Sequence, residues 1–234
     1  MALIRLPEGT QISGSIGGTT YSHNRYGAYK RNRSIPVNPR TDRQIAIRNY
    51  LQWCQDAWLN TLTEEQREAW NLYASNTTWQ NKFGDAALLP GPQHFNRTNI
   101  SRLLAGLTVI DDAPTIFGLP AAETDLEVTA SAATGELTVA YDDSADWVSE
   151  DGAIQMLYVG RPTNPTVNYF NGPWRYADKI EGASVSPPTS PHTVVAGLVP
   201  WPVVEGQRIV VRSRIMRADG RLSDTARSSF LVGA

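Results

Sequence analysis

The spacing of apolar residues changes partway along this chain, and that change limits its fold more than any other feature. Between about residues 41 and 107 the apolar residues recur at helical intervals. Beyond residue 122 they alternate, as in strands with one buried face. Helices and strands that occupy separate stretches of sequence point to an α+β fold.

The helical stretch divides into three. Thr41 or Asp42 can cap a helix running to about Leu59, with Ile47, Tyr50, Leu51, Cys54, Ala57 and Trp58 on one face. Thr63 starts a second helix, and Gln66 stands three positions on, the spacing of a capping box. Ala69, Trp70 and Tyr73 form its stripe, and the short Asn60-Thr61-Leu62 connection predicts an αα-hairpin. Residues 77–92 read as loop. A third helix is expected from Gln93 to about Leu107, with Phe95, Leu103, Leu104 and Leu107 inward and Gly106 near its end. The helical module is thus placed at 41–110 and a linker at 111–122.

The alternating stretch supplies seven strand candidates within 123–234: Leu126–Ala130, Leu137–Tyr141, Ile154–Val159, Arg175–Ile180, Thr193–Ala196, Arg208–Ile215 and Ser228–Val232. Ile154–Val159 is almost continuously apolar. Short strands separated by Gly and Pro turns predict a small antiparallel β-sandwich. Asp219-Gly220 marks a hairpin turn after Arg208–Ile215.

Residues 1–40 fit neither pattern. They are Gly-rich, with a loosely alternating run from Ile12 to Tyr21, a polar turn around Asn24 and a return from Ala28 to Arg33. A β-hairpin within an extended arm is expected. Pro36 and Pro39 disfavour helix in the residues before them. So few large apolar residues cannot offset the entropy of ordering the segment, so the arm should become ordered by lying on something else. Residues 1–48 carry eight Lys or Arg against Glu8 and Asp42, a net +6; the remainder carries thirteen bases and twenty-one acids, a net −8. A front end of this sign is expected to meet an acidic surface. Tyr21, Arg25, Tyr26, Tyr29, Lys30, Arg31, Arg33 and Arg40 are the candidate partner-binding residues, with Arg43 beside them. Tyr and Arg are enriched at protein interfaces, and a protein partner is favoured over nucleic acid because the −8 portion repels DNA.

Residue types that carry catalysis are sparse. The histidines are His23, His94 and His192, in a polar turn, at a helix start and in a Pro/Ser/Thr-rich loop. No Gly-x-Ser-x-Gly elbow is present. Cys54, the single cysteine, falls on an apolar helix stripe and reads as a small core residue in a reducing compartment. The acidic run from Asp142 to Asp151 has the oxygen chemistry of a calcium loop but not its spacing. Gly14, Gly17 and Gly18 lack the Lys-Ser/Thr of a phosphate loop. No catalytic residue, metal or cofactor is expected, and no apolar run reaches the ~20 residues of a membrane helix.

The segment from Gly14 to Asp42 resembles the front of proteins encoded by tailed phages and prophages. There a Gly-rich strand, a basic strand and an Asn38-Pro39-Arg40-Thr41-like turn precede a helix. The similarity continues through Trp58, Leu62-Thr63, Gln66-Arg67, Ala69-Trp70, Tyr73 and the run from His94 to Asn99. It implies a virion context and carries no catalytic residues. The region from Arg212 to Ser223 resembles fibronectin type III-like domains, which implies an immunoglobulin/fibronectin III-like sandwich. The expectation is a non-enzymatic virion structural protein, a capsid decoration or cement protein attached through its arm. Its partners would be coat protein, other virion proteins or further copies of itself. A tail, neck or fibre component is the alternative. A carbohydrate-binding module is another, with Trp147, Tyr169, Trp174, Tyr176 and Trp201 as stacking residues.

Overall fold

The computed structural model describes residues 2–3, 12–24, 27–35, 37–80, 86–167 and 169–233. The chain is α+β, with a C-terminal β-sandwich. It forms two compact units, Met1–Gln44 and Ile45–Ala234.

The first unit is a small antiparallel sheet of β1 (Ala2–Leu3), β2 (Gly14–Ile16), β3 (Thr19–Asn24) and β4 (Gly27–Asn32), in the order β1-β4-β3-β2. Ile16 pairs with Thr19 across Gly17-Gly18, and Gly17 has a φ of 58°. A two-residue hairpin loop requires such left-handed backbone, which glycine adopts freely. A second hairpin joins β3 to β4, with Asn24 opposite Gly27. The arm therefore holds more strand than the single hairpin expected. Among residues 12–24, 27–35 and 37–44, none is buried.

Helix α1 (Asp42–Asn60) begins at Thr41. Gln44 N donates to Thr41 Oγ1 at 3.4 Å and Thr41 N donates to Gln44 Oε1 at 3.2 Å, so two orphan amides are satisfied reciprocally. Thr63 and Gln66 repeat the device before α2 (Glu64–Asn76). The stretch expected as loop contains a short hairpin of β5 (Thr78–Gln80) and β6 (Ala86–Leu88). Helix α3 (Gly91–Leu104) starts two residues before the expected Gln93. Pro92 sits in the first turn, where its missing N–H costs nothing.

Cys54, Ala57, Leu62, Trp70, Tyr73 and Phe95 form the helical core. Trp70 meets Phe95 and Tyr73 edge to face, at centroid separations of 5.6 and 6.0 Å. Residues 110–112 are tied to this core. Asn99 exchanges two hydrogen bonds of 2.9 Å with the Ile110 backbone, and Trp70 Nε1 donates to Asp111 O at 2.8 Å. The segment 111–122 holds no helix or strand, yet its first residues are pinned to the helices.

Seven strands follow: β7 (Glu127–Ala130), β8 (Leu137–Ala140), β9 (Ile154–Gly160), β10 (Trp174–Glu181), β11 (His192–Val194), β12 (Arg208–Met216) and β13 (Ala226–Leu231). They form two antiparallel sheets, β11-β8-β7 and β10-β9-β12-β13. Leu137, Val139, Leu157, Val159, Ile209, Val211 and Ile215 face each other between them. The other face of the four-stranded sheet is covered at one end. Ile154, Met156, Met216 and Leu222 pack with Leu104, Ala105 and Leu107 at the end of α3. Strand β9 is thus buried on both faces, which accounts for its near-continuous apolar sequence.

Gly220 joins the two parts. Its φ is 91°, and a Cβ there would lie 2.5 Å from Ile110 Cδ1 and 2.6 Å from Thr98 Cγ2. Thr98 Oγ1 also donates to Gly220 O at 3.0 Å. Gly220→Ala is expected to lower stability by about 2–4 kcal/mol through backbone strain and overpacking together. Urea denaturation followed by tryptophan fluorescence measures this.

Candidate assembly interface

The expected partner-binding residues divide between the two faces of the N-terminal sheet. Tyr21 stands opposite Lys30, so those two share one face. Thr20 stands opposite Arg31 and Ser22 opposite Tyr29, so Tyr29 and Arg31 share the other. Arg25 and Tyr26 lie outside the described residues. Arg33 follows β4, where its N–H donates to Gly18 O at 2.8 Å. Arg40 precedes α1 with a φ of 49°, and its N–H donates to Asn38 Oδ1 at 3.1 Å. The described ones among these basic and aromatic groups are exposed or half-exposed, and Tyr21 and Lys30 do not share a face with Tyr29 and Arg31. Ile16, Ile35 and Val37 expose 77, 85 and 91% of their surface. By sequence this unit carries seven bases and two acids, a net +5, against −7 for residues 45–234.

Helix α1 offers a second unpartnered surface, in the other unit. Its apolar stripe is continuous by spacing, but only the C-terminal half is used. Cys54 and Ala57 are buried in the helical core, with Trp58 half-buried against it. One to two turns earlier, Ile47 and Tyr50 are half-exposed, Leu51 is 39% exposed and Trp53, on the flank, 43%. An amphipathic helix whose stripe outruns its own core presents the remainder to a partner or to water.

Groups with catalytic chemistry are occupied structurally. Cys54 is fully buried, and burial pushes its thiol up to about 11, so it stays protonated at neutral pH. His192 Nε2 lies 3.0 Å from Asp178 Oδ2, joining the edges of the two sheets through β11 and β10. Among the described residues no serine, threonine or cysteine is a side-chain partner of this pair. In the acidic loop, Asp142 Oδ1 accepts from Ser144 N at 2.9 Å and Ser144 Oγ at 2.6 Å. Asp151 accepts from Ser184 N at 2.8 Å and Ser184 Oγ at 2.7 Å. These bonds hold both carboxylates below their ordinary range. Glu150 binds the Arg217 guanidinium and the Ala218 N–H. Among the described residues, no three His, Cys, Asp or Glu gather to hold a metal ion.

The five aromatics expected to stack on sugars are dispersed. Trp147 is 2% exposed and belongs to the sandwich core. Trp201 is half-buried, with the Arg175 guanidinium 3.9 Å from its ring centroid. Tyr176 is half-buried at 5.8 Å from Tyr158, and Phe170 meets Trp174 edge-on at 5.0 Å. Tyr169 alone of the five is exposed, at 78%. What the sequence did not show is an arginine cluster around Trp174, drawn from strands 15 or more positions apart.

No protein-family model matches the chain, and no curated protein matches it either.

His94 supplies a pH test of the helical core. It is 3% exposed and meets Tyr73 edge-on at 5.2 Å. Burial, and then the nearby Arg97 charge, pushes its imidazole from 6.5 down to about 4. The unfolded chain therefore binds a proton that the folded chain does not. The stabilising contribution is complete above about pH 6.5 and is lost as the pH falls through about 4. The urea midpoint should fall between pH 7 and pH 4 by the equivalent of about 2–3 kcal/mol. His94→Gln should flatten that part of the profile.

Proposed function

We propose that this chain is a non-enzymatic structural protein of a tailed-phage virion, a capsid decoration or cement protein held to the particle through its N-terminal unit. The observation that carries this reading is a hydrogen-bonded sheet with no buried side chain among residues 12–24 and 27–35. Ordering a backbone costs about 1–2 kcal/mol per residue. A sheet without a core offsets little of that, so a surface outside it must supply the rest. The three-residue β2 is an edge strand that can accept or join another sheet.

Coat protein and further copies of this chain are the partners in this reading. A unit of net +5 complements a body of net −7 on a neighbouring copy. The half-used stripe of α1 supports self-association, because an exposed Leu51 and Trp53 gain from burial against a partner. The resemblance of residues 14–42 to phage-encoded proteins supports a virion context. A neck or tail position is the nearest alternative and uses the same attachment. Nucleic acid fits less well, since Tyr21 and Lys30 face away from Tyr29 and Arg31.

Purified particles should contain the protein by mass spectrometry. A chain lacking residues 1–40 should fail to bind them while keeping its urea midpoint, since every buried cluster lies beyond residue 53. Absence from particles, or binding by the truncated chain, sinks the proposal. Leu51→Asp should lower stability by only about 1 kcal/mol, because Leu51 is 39% exposed and belongs to no buried cluster, while Asp is a weaker helix former than Leu. The same variant should shift sedimentation equilibrium towards monomer.

A further inference from the structure

One face of the sandwich gathers positive charge from Arg208, Arg212 and Arg227. Strand register places Tyr176 opposite Tyr158, Tyr158 opposite Arg212, and Arg212 opposite Arg227, a row across all four strands of one sheet. The next positions on the same face are Trp174, Gly160, Val210 and Ser229, followed by Arg208 on β12. The Arg212 guanidinium lies 4.7 Å from the Tyr158 ring centroid and 5.0 Å from that of Trp174. Arg227 lies 5.6 Å from Trp174. Cation–π contacts hold these two guanidinium groups against aromatic rings without using up their N–H donors.

Among the described residues, no carboxylate comes within ion-pair distance of Arg208, Arg212 or Arg227. The Nε atoms of Arg208 and Arg212 are buried without a hydrogen-bond acceptor. Burial lowers the pKa of Arg212; Tyr158 opposes this and the nearby Arg227 charge adds to it. Like charges brought together without a counter-charge are costly, which is the usual price of binding an anion.

Beside this row lies an open groove of about 210 Å³, lined by Tyr169, Phe170, Arg208, Val210, Arg227 and Ser229 among others, none of them acidic. Its wall is fixed by the backbone. Thr163 and Arg208 exchange two hydrogen bonds of 2.9 Å, which anchors the preceding loop to β12. Gly160 leaves room for the Phe170 ring, into which a Cβ would run. The volume is below the ~300 Å³ at which pockets for drug-sized ligands begin, so it suits one ring rather than a long segment. Two guanidinium groups and an exposed serine hydroxyl recognise an oxyanion, while Tyr169 and Phe170 offer apolar surface to a ring.

We propose that this groove binds an acidic saccharide unit, its carboxylate held by Arg227 and Arg208 and its ring set against Tyr169 and Phe170. The site uses no residue of the N-terminal unit and does not depend on the assembly reading.

The test is NMR titration of the full chain with glucuronate, glucose, sodium sulfate and tetraglutamate at constant ionic strength. Glucuronate should give saturable shifts at Ser229, Arg227 and Phe170, and glucose should give none. Arg227→Ala should weaken glucuronate by about tenfold or more. Arg227 is exposed on an edge strand, so the variant should keep its urea midpoint, and Arg227→Lys should recover part of the affinity. Equal binding of glucose, no loss in Arg227→Ala, or binding of sulfate or tetraglutamate as tight as that of glucuronate would overturn the assignment.

Discussion

The rest of the body depends on strand β9, because both of its faces are buried. Leu157 and Val159 point into the sandwich, while Ile154 and Met156 pack beneath the end of α3. Each such side chain contributes about 1.5–3 kcal/mol by leaving water. The strand therefore joins two hydrophobic clusters that would otherwise be independent. Gln155, on the sandwich side, is fully buried and donates to Ser213 Oγ at 2.7 Å and to Glu123 Oε2 at 3.4 Å. Glu123 Oε1 also accepts from the Asp125 and Asp142 amides. A buried carboxylate is tolerated when its oxygens are satisfied in this way. Glu123 thereby fixes the far end of the segment whose near end Trp70 and Asn99 secure.

The N-terminal sheet shows the opposite balance. Its strands are paired and the β2–β3 turn is formed by Gly17-Gly18, but hydrogen bonds net only about 0.5–1.5 kcal/mol each against water. Ser15 Oγ and Thr20 Oγ1, 2.8 Å apart across β2 and β3, are an example of such exposed pairing. Without apolar burial, pairing specifies a shape more than it stabilises one. The contrast between a body with three buried clusters and a sheet with no buried residue among those described is what gives the assembly proposal its physical basis.

The arginine face illustrates how a sheet builds a site that local sequence does not announce. Tyr158, Trp174, Arg212 and Arg227 are separated by up to 69 positions, yet antiparallel register sets them side by side. In the sequence Tyr158, Arg212 and Arg227 read as ordinary strand residues, and Trp174 as one of five candidate stacking aromatics. Of the other aromatics that stood out there, Trp147 is taken up by the core and Trp201 by Arg175.

Local chemistry was legible wherever neighbours in sequence decide the outcome. Thr63 and Gln66 announced the start of α2, and alternating apolar residues placed all seven sandwich strands within a few residues. The period change alone determined the α+β class, because helical and strand spacing bury different faces of the chain. Helix α3 begins two residues before the expected Gln93, and Pro92 is accommodated because it sits in the first turn. The hairpin of β5 and β6 went unseen, because three-residue strands carry too few residues to display a period. Tertiary structure alone decided which half of the α1 stripe is buried, which way Tyr21 and Tyr29 face, and which arginines converge on Trp174. Those outcomes rest on contacts between residues far apart in the chain, and no local spacing encodes them.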